Sequence, residues 1–357
     1  MKLNLLQSRI KEKEIDLLLL LHPDPNIAYF SQVEPSHSVL QITKDSATIL
    51  LSKLDDLTPS QGITAIPYTK SYKDDIKEQL TSIEAPKIAI NFSQLTVKQF
   101  NTLKNDFPTA TFIDFSEQLN NLRLTKTEAE LNIMFQAANI ADNALNNFTK
   151  AYKQSKGQDL PTELSVALFL EKKIREQGAT LSFPTIVATS PNSAIPHHIT
   201  STDKLEPGLL LIDMGAKINN YCSDMTRMFS IANPTEEMQA DFDLLDSVQR
   251  KCIKKAEELI KSDQSLGALD AFARAELGEE KSKSFIHSLG HGIGVEVHEA
   301  PRVSKGCKQK IQKNMPFTIE PGIYFKGKWG LRIEDTVVFD GEKIIRITKS
   351  PKELIIL

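Results

Sequence analysis

The sequence predicts an α/β (α+β) protein in two parts, and three observations carry the prediction. Over residues 1–120, short apolar runs alternate with polar helical stretches, the pattern of a mixed α/β unit. Beyond them, a pair of helical segments followed by an acidic strand hairpin occurs twice. Asp213 and Glu320 stand 107 positions apart and Asp224 and Glu334 110 apart, so corresponding elements keep a nearly constant offset. This is an internal structural repeat without obvious sequence identity. Two such halves can close about a pseudo-twofold axis that brings both acidic hairpins to one central site. With 357 residues, the chain is long enough for two domains and a large core.

The first part opens with a helical pattern near Leu3 to Ile10 and a run of leucines, Leu17 to Leu21. That run is far too short to cross a bilayer and follows Lys11-Glu12-Lys13-Glu14 rather than a signal-like region, so it reads as a buried strand. Strand-like runs recur at Ala47 to Leu51 and Ile88 to Ile90. No catalytic constellation occurs here, and the expected role is structural, in dimerisation and in capping the site. A helix then starts at Thr125-Lys126-Thr127-Glu128, where Thr125 and Glu128 have capping-box spacing. Its apolar stripe is Leu131, Met134, Phe135, Ala138, Ala141, Leu145 and Phe148. A second helix begins near Pro161 and stops near Gly178. The second pair is a long helix from about Thr235, with Phe242, Leu245 and Cys252 on one face, and a shorter one through Leu266, Leu269 and Phe272.

Composition narrows the partners. A net charge of −3, with 40% apolar and 25% charged residues and no basic block, argues against nucleic acid and gives no affinity for membranes. Cys222, Cys252 and Cys307 show no C-x-x-C spacing, which speaks against a disulfide framework or a zinc-thiolate site and for a reducing cytoplasm.

The chemistry concentrates in the hairpins. Folding Leu209–Ala216 onto Tyr221–Phe229 about the polar turn Lys217-Ile218-Asn219-Asn220 sets Asp213 opposite Asp224. Folding Pro316–Tyr324 onto Gly330–Val338 about Gly327 sets Glu320 opposite Glu334. Opposed Cβ atoms lie about 5 Å apart, so these carboxylates would repel one another among Leu, Ile and Val, an arrangement that makes sense around cations. Thr226 shares the strand face of Asp224 and is a candidate donor to the site. An imidazole comes from His291, where Gly290, Gly292 and Gly294 let the backbone pack tightly around it. Four carboxylate charges match two divalent ions, and the mixed donors suit manganese, cobalt, zinc or iron.

The series Asp213, Asp224, Gly-His291-Gly, Ile-Glu320-Pro-Gly and Arg-Ile-Glu334-Asp-Thr resembles the pita-bread metallopeptidases over roughly residues 125 to 357. These include methionine aminopeptidases, prolidases and aminopeptidases P. The front part resembles the creatinase-type amino-terminal domain, partly through Asn26-Ile27-Ala28-Tyr29-Phe30, and departs from it at Ser31-Gln32, where a Gly often follows. The resemblance implies a creatinase-like domain over 1–120 and a pita-bread catalytic domain over 121–357. It implies two divalent ions, manganese favoured, with Asp213 chelating one, Asp224 and Glu334 bridging both, and His291 and Glu320 completing the other. The ions would activate water for attack on the scissile carbonyl, while Glu320 passes a proton to the leaving nitrogen. His197, in Ile195-Pro196-His197-His198, and His298, in Val297-His298-Glu299-Ala300-Pro301, match two substrate histidines that hydrogen-bond the carbonyl oxygen or the oxyanion. His198 and His287 receive no role.

Within that family, the extra front domain, the Pro-His-His segment and Arg332-Ile333-Glu334-Asp335 resemble the proline-directed branch rather than the methionine-removing one. Arg302 matches an arginine that meets the free carboxylate of an Xaa-Pro dipeptide. The expected activity is therefore metal-dependent hydrolysis of the Xaa-Pro bond by a prolidase-type dipeptidase. The alternatives are an aminopeptidase P acting on longer peptides, a methionine aminopeptidase, or a non-catalytic peptide-binding relative. Non-catalytic relatives characteristically lose metal ligands, and all five are present here. A cytoplasmic homodimer is the expected form.

Overall fold

In the computed structural model, which describes residues 2–68 and 72–357, the chain divides into two units, Met1–Arg123 and Leu124–Leu357. The first holds strands β1 (Leu17–Leu21), β2 (Ser38–Ile42), β3 (Ala47–Leu51), β4 (Thr64–Pro67), β5 (Lys87–Ile90) and β6 (Thr111–Asp114). Its helices are α1 (Lys2–Glu12), α2 (Pro25–Ser31), α3 (Tyr72–Leu80), α4 (Val97–Asp106) and α5 (Ser116–Leu124). The strands form one mixed sheet in the order β4-β3-β2-β1-β5-β6. β1 runs antiparallel to β2 and parallel to β5, and all its leucines are buried, as a central strand covered on both faces requires. Leu17, Leu19 and Leu21 meet Ile76 and Leu80 of α3 and Leu103 of α4.

The second unit begins with helices α6 (Glu128–Ser155) and α7 (Glu163–Arg175). Strands β7 (Thr180–Leu181), β8 (Ile186–Thr189), β9 (Gly208–Met214), β10 (Ala216–Ile218), β11 (Tyr221–Cys222) and β12 (Met225–Ile231) follow. Helices α8 (Glu236–Lys261) and α9 (Leu266–Ser282) come next, then β13 (Gly290–Gly292), β14 (Glu299–Val303), β15 (Pro316–Ile319) and β16 (Gly322–Phe325). The unit ends with β17 (Trp329–Arg332), β18 (Asp335–Phe339), β19 (Ile344–Arg346) and β20 (Ile355–Ile356). Its two larger sheets run β20-β12-β9-β8 and β14-β13-β15-β18-β19.

Each helix pair covers one sheet. Ala144, Phe148 and Leu170 of α6 and α7 pack on Leu210, Ile212, Met214 and Phe229. Leu245, Cys252, Leu269 and Ala273 of α8 and α9 pack on Phe317, Ile319 and Val337. The pita-bread architecture is therefore a twofold arrangement of helix pair on sheet. No helix of the described residues is long and apolar enough to cross a membrane.

Two helix starts differ from the sequence reading. The capping box of α6 is Thr127 with Glu130, not Thr125 with Glu128, because the Lys126 N–H is taken by the Asn314 carbonyl and the chain is still outside the helix there. α7 is capped by Thr162 with Ser165, which leaves Pro161 ahead of the cap rather than in the first turn.

Candidate metal centre

The first hairpin closes one residue later than its polar turn suggests. Asn219 and Asn220 adopt φ of 47° and 69° and form a two-residue turn, the geometry whose twist matches that of antiparallel strands. Ile218 then pairs with Tyr221, and further out Asp213 pairs with Thr226. The expected Asp213–Asp224 opposition is thus corrected by two positions. Asp224 sits in the break between β11 and β12, diagonal to Asp213. A shift of two keeps the face, so Asp213, Asp224 and Thr226 still share one side. In the second hairpin, Ile319 pairs with Asp335 and Gly322 with Arg332 in one unbroken register. Glu320 and Glu334 therefore face each other in the gap between those pairs, as counted from the sequence.

Alternation then aims the acids. Leu210, Ile212 and Met214 turn to α6 and α7, so Asp213 points the other way. Phe317, Ile319, Leu331 and Ile333 turn to α8 and α9, so Thr318, Glu320, Arg332 and Glu334 point toward the first hairpin. His291 arrives on β13, where a Cβ on Gly290 would stand 2.0 Å from the Thr318 carbonyl oxygen and one on Gly292 2.1 Å from that of Ala300. Only glycine allows such an approach.

Ligand atoms of Asp224, His291 and Glu334 all lie within 4.8 Å of one another, a grouping that could hold a metal ion. His291 Nε2 is 3.3 Å from Glu320 Oε1 and 3.6 Å from Asp224 Oδ2. Its Nδ1 sits 3.1 Å from the Gly292 carbonyl, which fixes the proton there and leaves the Nε2 lone pair for the cluster. Thr318 Oγ1 donates to Glu320 Oε1 at 3.2 Å and accepts from the His291 N–H at 3.0 Å. Among the described residues, Asp213 Oδ1 and Glu334 Oε1 are buried without a hydrogen-bond partner.

Electrostatics points the same way. Burial, then Glu334, Asp213 and Glu320, hold the Asp224 carboxyl well above the usual range. Glu334 is likewise raised by burial and by Glu320 and Asp213, and burial pushes Glu320 up to about 8. Burial, with His298 nearby, lowers His291 to about 4, so its imidazole is neutral near pH 7. Crowded carboxylates, orphaned buried oxygens and a neutral imidazole together fit divalent cations.

The remaining expected residues surround this cluster. The His298 ring stands edge-on to that of His291, centroids 4.4 Å apart. His197 is exposed and close enough to act electrostatically on Asp213 and His298. Arg302 lies directly across the β13–β14 ladder from His291, is exposed, and its guanidinium makes no ion pair or hydrogen bond among the described residues.

Sequence reasoning missed a buried cation. Arg332 is 4% exposed and donates from Nη2 to Asp213 Oδ2 at 2.6 Å, from Nη1 to the Tyr324 hydroxyl at 2.9 Å, and from Nε to Thr226 Oγ1 at 3.0 Å. Thr226 in turn donates to Glu334 Oε2 at 2.7 Å. His287 also gains a role: its Nδ1 meets the Ser288 carbonyl at 2.8 Å, so Nε2 accepts from the Tyr324 hydroxyl at 3.0 Å. The available signal was alternation, since Tyr324 shares the face of Glu320, and Arg332 that of Glu334.

Comparison with known proteins gives the family of both units. Residues 132–340 match metallopeptidase family M24, and residues 2–125 match the creatinase/prolidase N-terminal domain. An Xaa-Pro dipeptidase of Pyrococcus furiosus is 32% identical over 349 residues, covering 96% of each chain. The solved structure of an Xaa-Pro dipeptidase from Bacillus anthracis is 30% identical, with a TM-score of 0.86 over 100% of this chain and 99% of that one. The structure of an X-Pro aminopeptidase from Thermotoga maritima is 28% identical, with a TM-score of 0.85 over 98% of this chain and 100% of that one.

Proposed function

The chain belongs to metallopeptidase family M24, and from that premise we propose that it cleaves the Xaa-Pro bond as a prolidase-type dipeptidase, releasing the residue before proline. The observation that carries the reading is the cluster of Asp224, His291 and Glu334 with the orphaned oxygens Asp213 Oδ1 and Glu334 Oε1. Asp213, Asp224, His291, Glu320 and Glu334 would hold two divalent ions, with manganese favoured by the excess of carboxylates. Bound there, such ions lower the pKa of water and polarise a carbonyl.

The chain's own residues complete the chemistry. Glu320 carries a proton to the proline nitrogen, which has no hydrogen of its own. His197 and His298 donate to the carbonyl oxygen as charge develops on it. Arg302, with its guanidinium uncommitted, pairs with the free carboxylate of the dipeptide. That residue favours the dipeptidase over aminopeptidase P, the second reading, which the likeness to the Thermotoga X-Pro aminopeptidase supports. A cytoplasmic homodimer is part of the same proposal, and light scattering would test the dimer.

The test is hydrolysis of Ala-Pro beside an Ala-Pro-extended peptide, using metal-stripped protein with manganese, cobalt or zinc restored. Cleavage confined to the dipeptide, with manganese most effective and with a raised KM in R302A, is expected. Cleavage of the longer peptide assigns aminopeptidase P, and no turnover with metal bound removes the peptidase reading.

A further inference from the structure

We propose that Glu163 and His198 form a positioning pair that sets the place of His197 beside the metal centre. The proposal rests on the reading of His197 as a substrate-binding group.

Glu163 is the first residue of α7, and none of it reaches solvent. Its Oε1 accepts from the Thr189 N–H at 2.9 Å and from Asn192 Nδ2 at 2.9 Å. Its Oε2 accepts from the Ser201 N–H at 3.0 Å, from Ser201 Oγ at 2.9 Å and from His198 Nε2 at 2.8 Å. One buried carboxylate therefore ties down both ends of the segment 189–201 and the ring next to His197. On the other side of His197, the Pro196 carbonyl accepts from Arg332 Nη1 at 3.3 Å, and the same guanidinium grips Asp213. His197 is thus bracketed by two neighbours, one fastened to α7 and one to the arginine that fixes a candidate metal ligand.

Apolar packing does not perform this task. Ile195 is 56% and Ile199 86% exposed, so the side chains that would ordinarily seat a loop by burial stand in solvent. His197 makes no hydrogen bond of its own among the described residues, and its position depends on its neighbours. A buried carboxylate left without its donors is costly, which is why this anchor holds one geometry rather than several.

The experiment compares H198A, H198Q, H197A and the H197A/H198A double variant in the manganese-loaded full chain, measuring kcat and KM on Ala-Pro and melting temperature. H198A is expected to lower kcat about tenfold with KM within about twofold, because a small misplacement of a positioned group is felt in the transition state. H198Q, whose amide nitrogen can reach the same carboxylate oxygen, is expected to recover most of that loss. In the H197A background the H198A change should cost nothing further. Should H198A fail to fold, S201A, which removes another donor to the same oxygen, is expected to give a smaller loss of the same kind. Wild-type kcat in H198A, or an equal further loss on top of H197A, overturns the pair while leaving the role of His197 intact. Wild-type kcat in H197A removes that role and the proposal with it.

Discussion

Arg332 gathers more of the candidate centre than any ligand does, since its three nitrogens reach Asp213, Tyr324, Thr226 and the Pro196 carbonyl. The planar fork makes this possible, because it holds several donors at fixed angles, whereas a lysine offers one ammonium on a flexible stem. R332K is therefore expected to keep a charge near Asp213 yet lose the contacts to Tyr324 and Thr226. Groups that orient metal ligands typically contribute 10- to 100-fold, so a drop of about that size in kcat/KM on Ala-Pro is expected, together with weaker metal retention measured by atomic absorption. Y324F removes only the hydroxyl between Arg332 and His287 and should fall closer to wild type, at about a tenfold loss or less. An R332K enzyme with unchanged activity and metal content would deny the arginine this role. In sequence, Arg332 stands between Leu331 and Ile333 as a buried position and shares a hairpin with Tyr324, but its partners at 196, 213 and 226 come from three other segments. Such convergence is a product of tertiary folding and leaves no local trace. The candidate ligands were easier to single out because an acid in an apolar strand already conflicts with its neighbours.

At the scale of elements, tight approach decides what the strands tolerate. A methyl on Gly292 would collide with the Ala300 carbonyl oxygen, and backbone cannot step aside as a flexible side chain can. G292A is expected to destabilise the protein by about 1–3 kcal/mol in urea unfolding and to reduce metal binding by pushing His291 out of place. An unchanged midpoint and metal content would mean that β13 relaxes freely. Elements of this kind were legible wherever the local pattern was unambiguous. Leu17–Leu21 and Ala47–Leu51 are strands with the bounds read from their apolar runs, and α8 starts after Thr235 as expected. Errors arose where the sequence offered two equivalent choices. Thr125/Glu128 and Thr127/Glu130 have the same capping spacing, and a distant carbonyl at Asn314 selects the second. The turn of the first hairpin could be centred on the four residues Lys217-Ile218-Asn219-Asn220 or on Asn219-Asn220 alone. Adjacent asparagines tolerate positive φ, and that preference selects the tighter turn and moves each partner by two.

For the molecule as a whole, the buried acids and imidazoles of the catalytic unit make stability a function of pH with opposing parts. Burial lowers His287 and His291 to about 4 and lowers His298 as well, so the unfolded chain binds protons that the folded chain refuses. As pH rises toward the ordinary histidine value of 6.5, that penalty disappears and stability increases. The carboxylates act in the opposite sense. Glu320 is raised from 4.5 to about 8, and Asp224 and Glu334 are also raised, so the folded chain holds protons that the unfolded chain has released. For Glu320 this stabilising protonation is fully present below 4.5 and is lost as pH rises through about 8. Above 6.5 the remaining protons on these three histidines leave the unfolded chain, and beyond about 7.5 the acids dominate the difference. The metal-free protein is therefore expected to lose melting temperature as pH rises from about 7.5 through 8. Divalent ions reverse the sign, because they bind the deprotonated acids in the folded state alone and gain affinity as protons leave. Melting curves of chelator-treated and manganese-loaded protein should accordingly diverge with increasing pH, and E320Q should flatten the metal-free slope. A metal-free melting temperature that climbs across this window would mean that the acids are not held together by the fold, and the centre described here would lose its electrostatic basis.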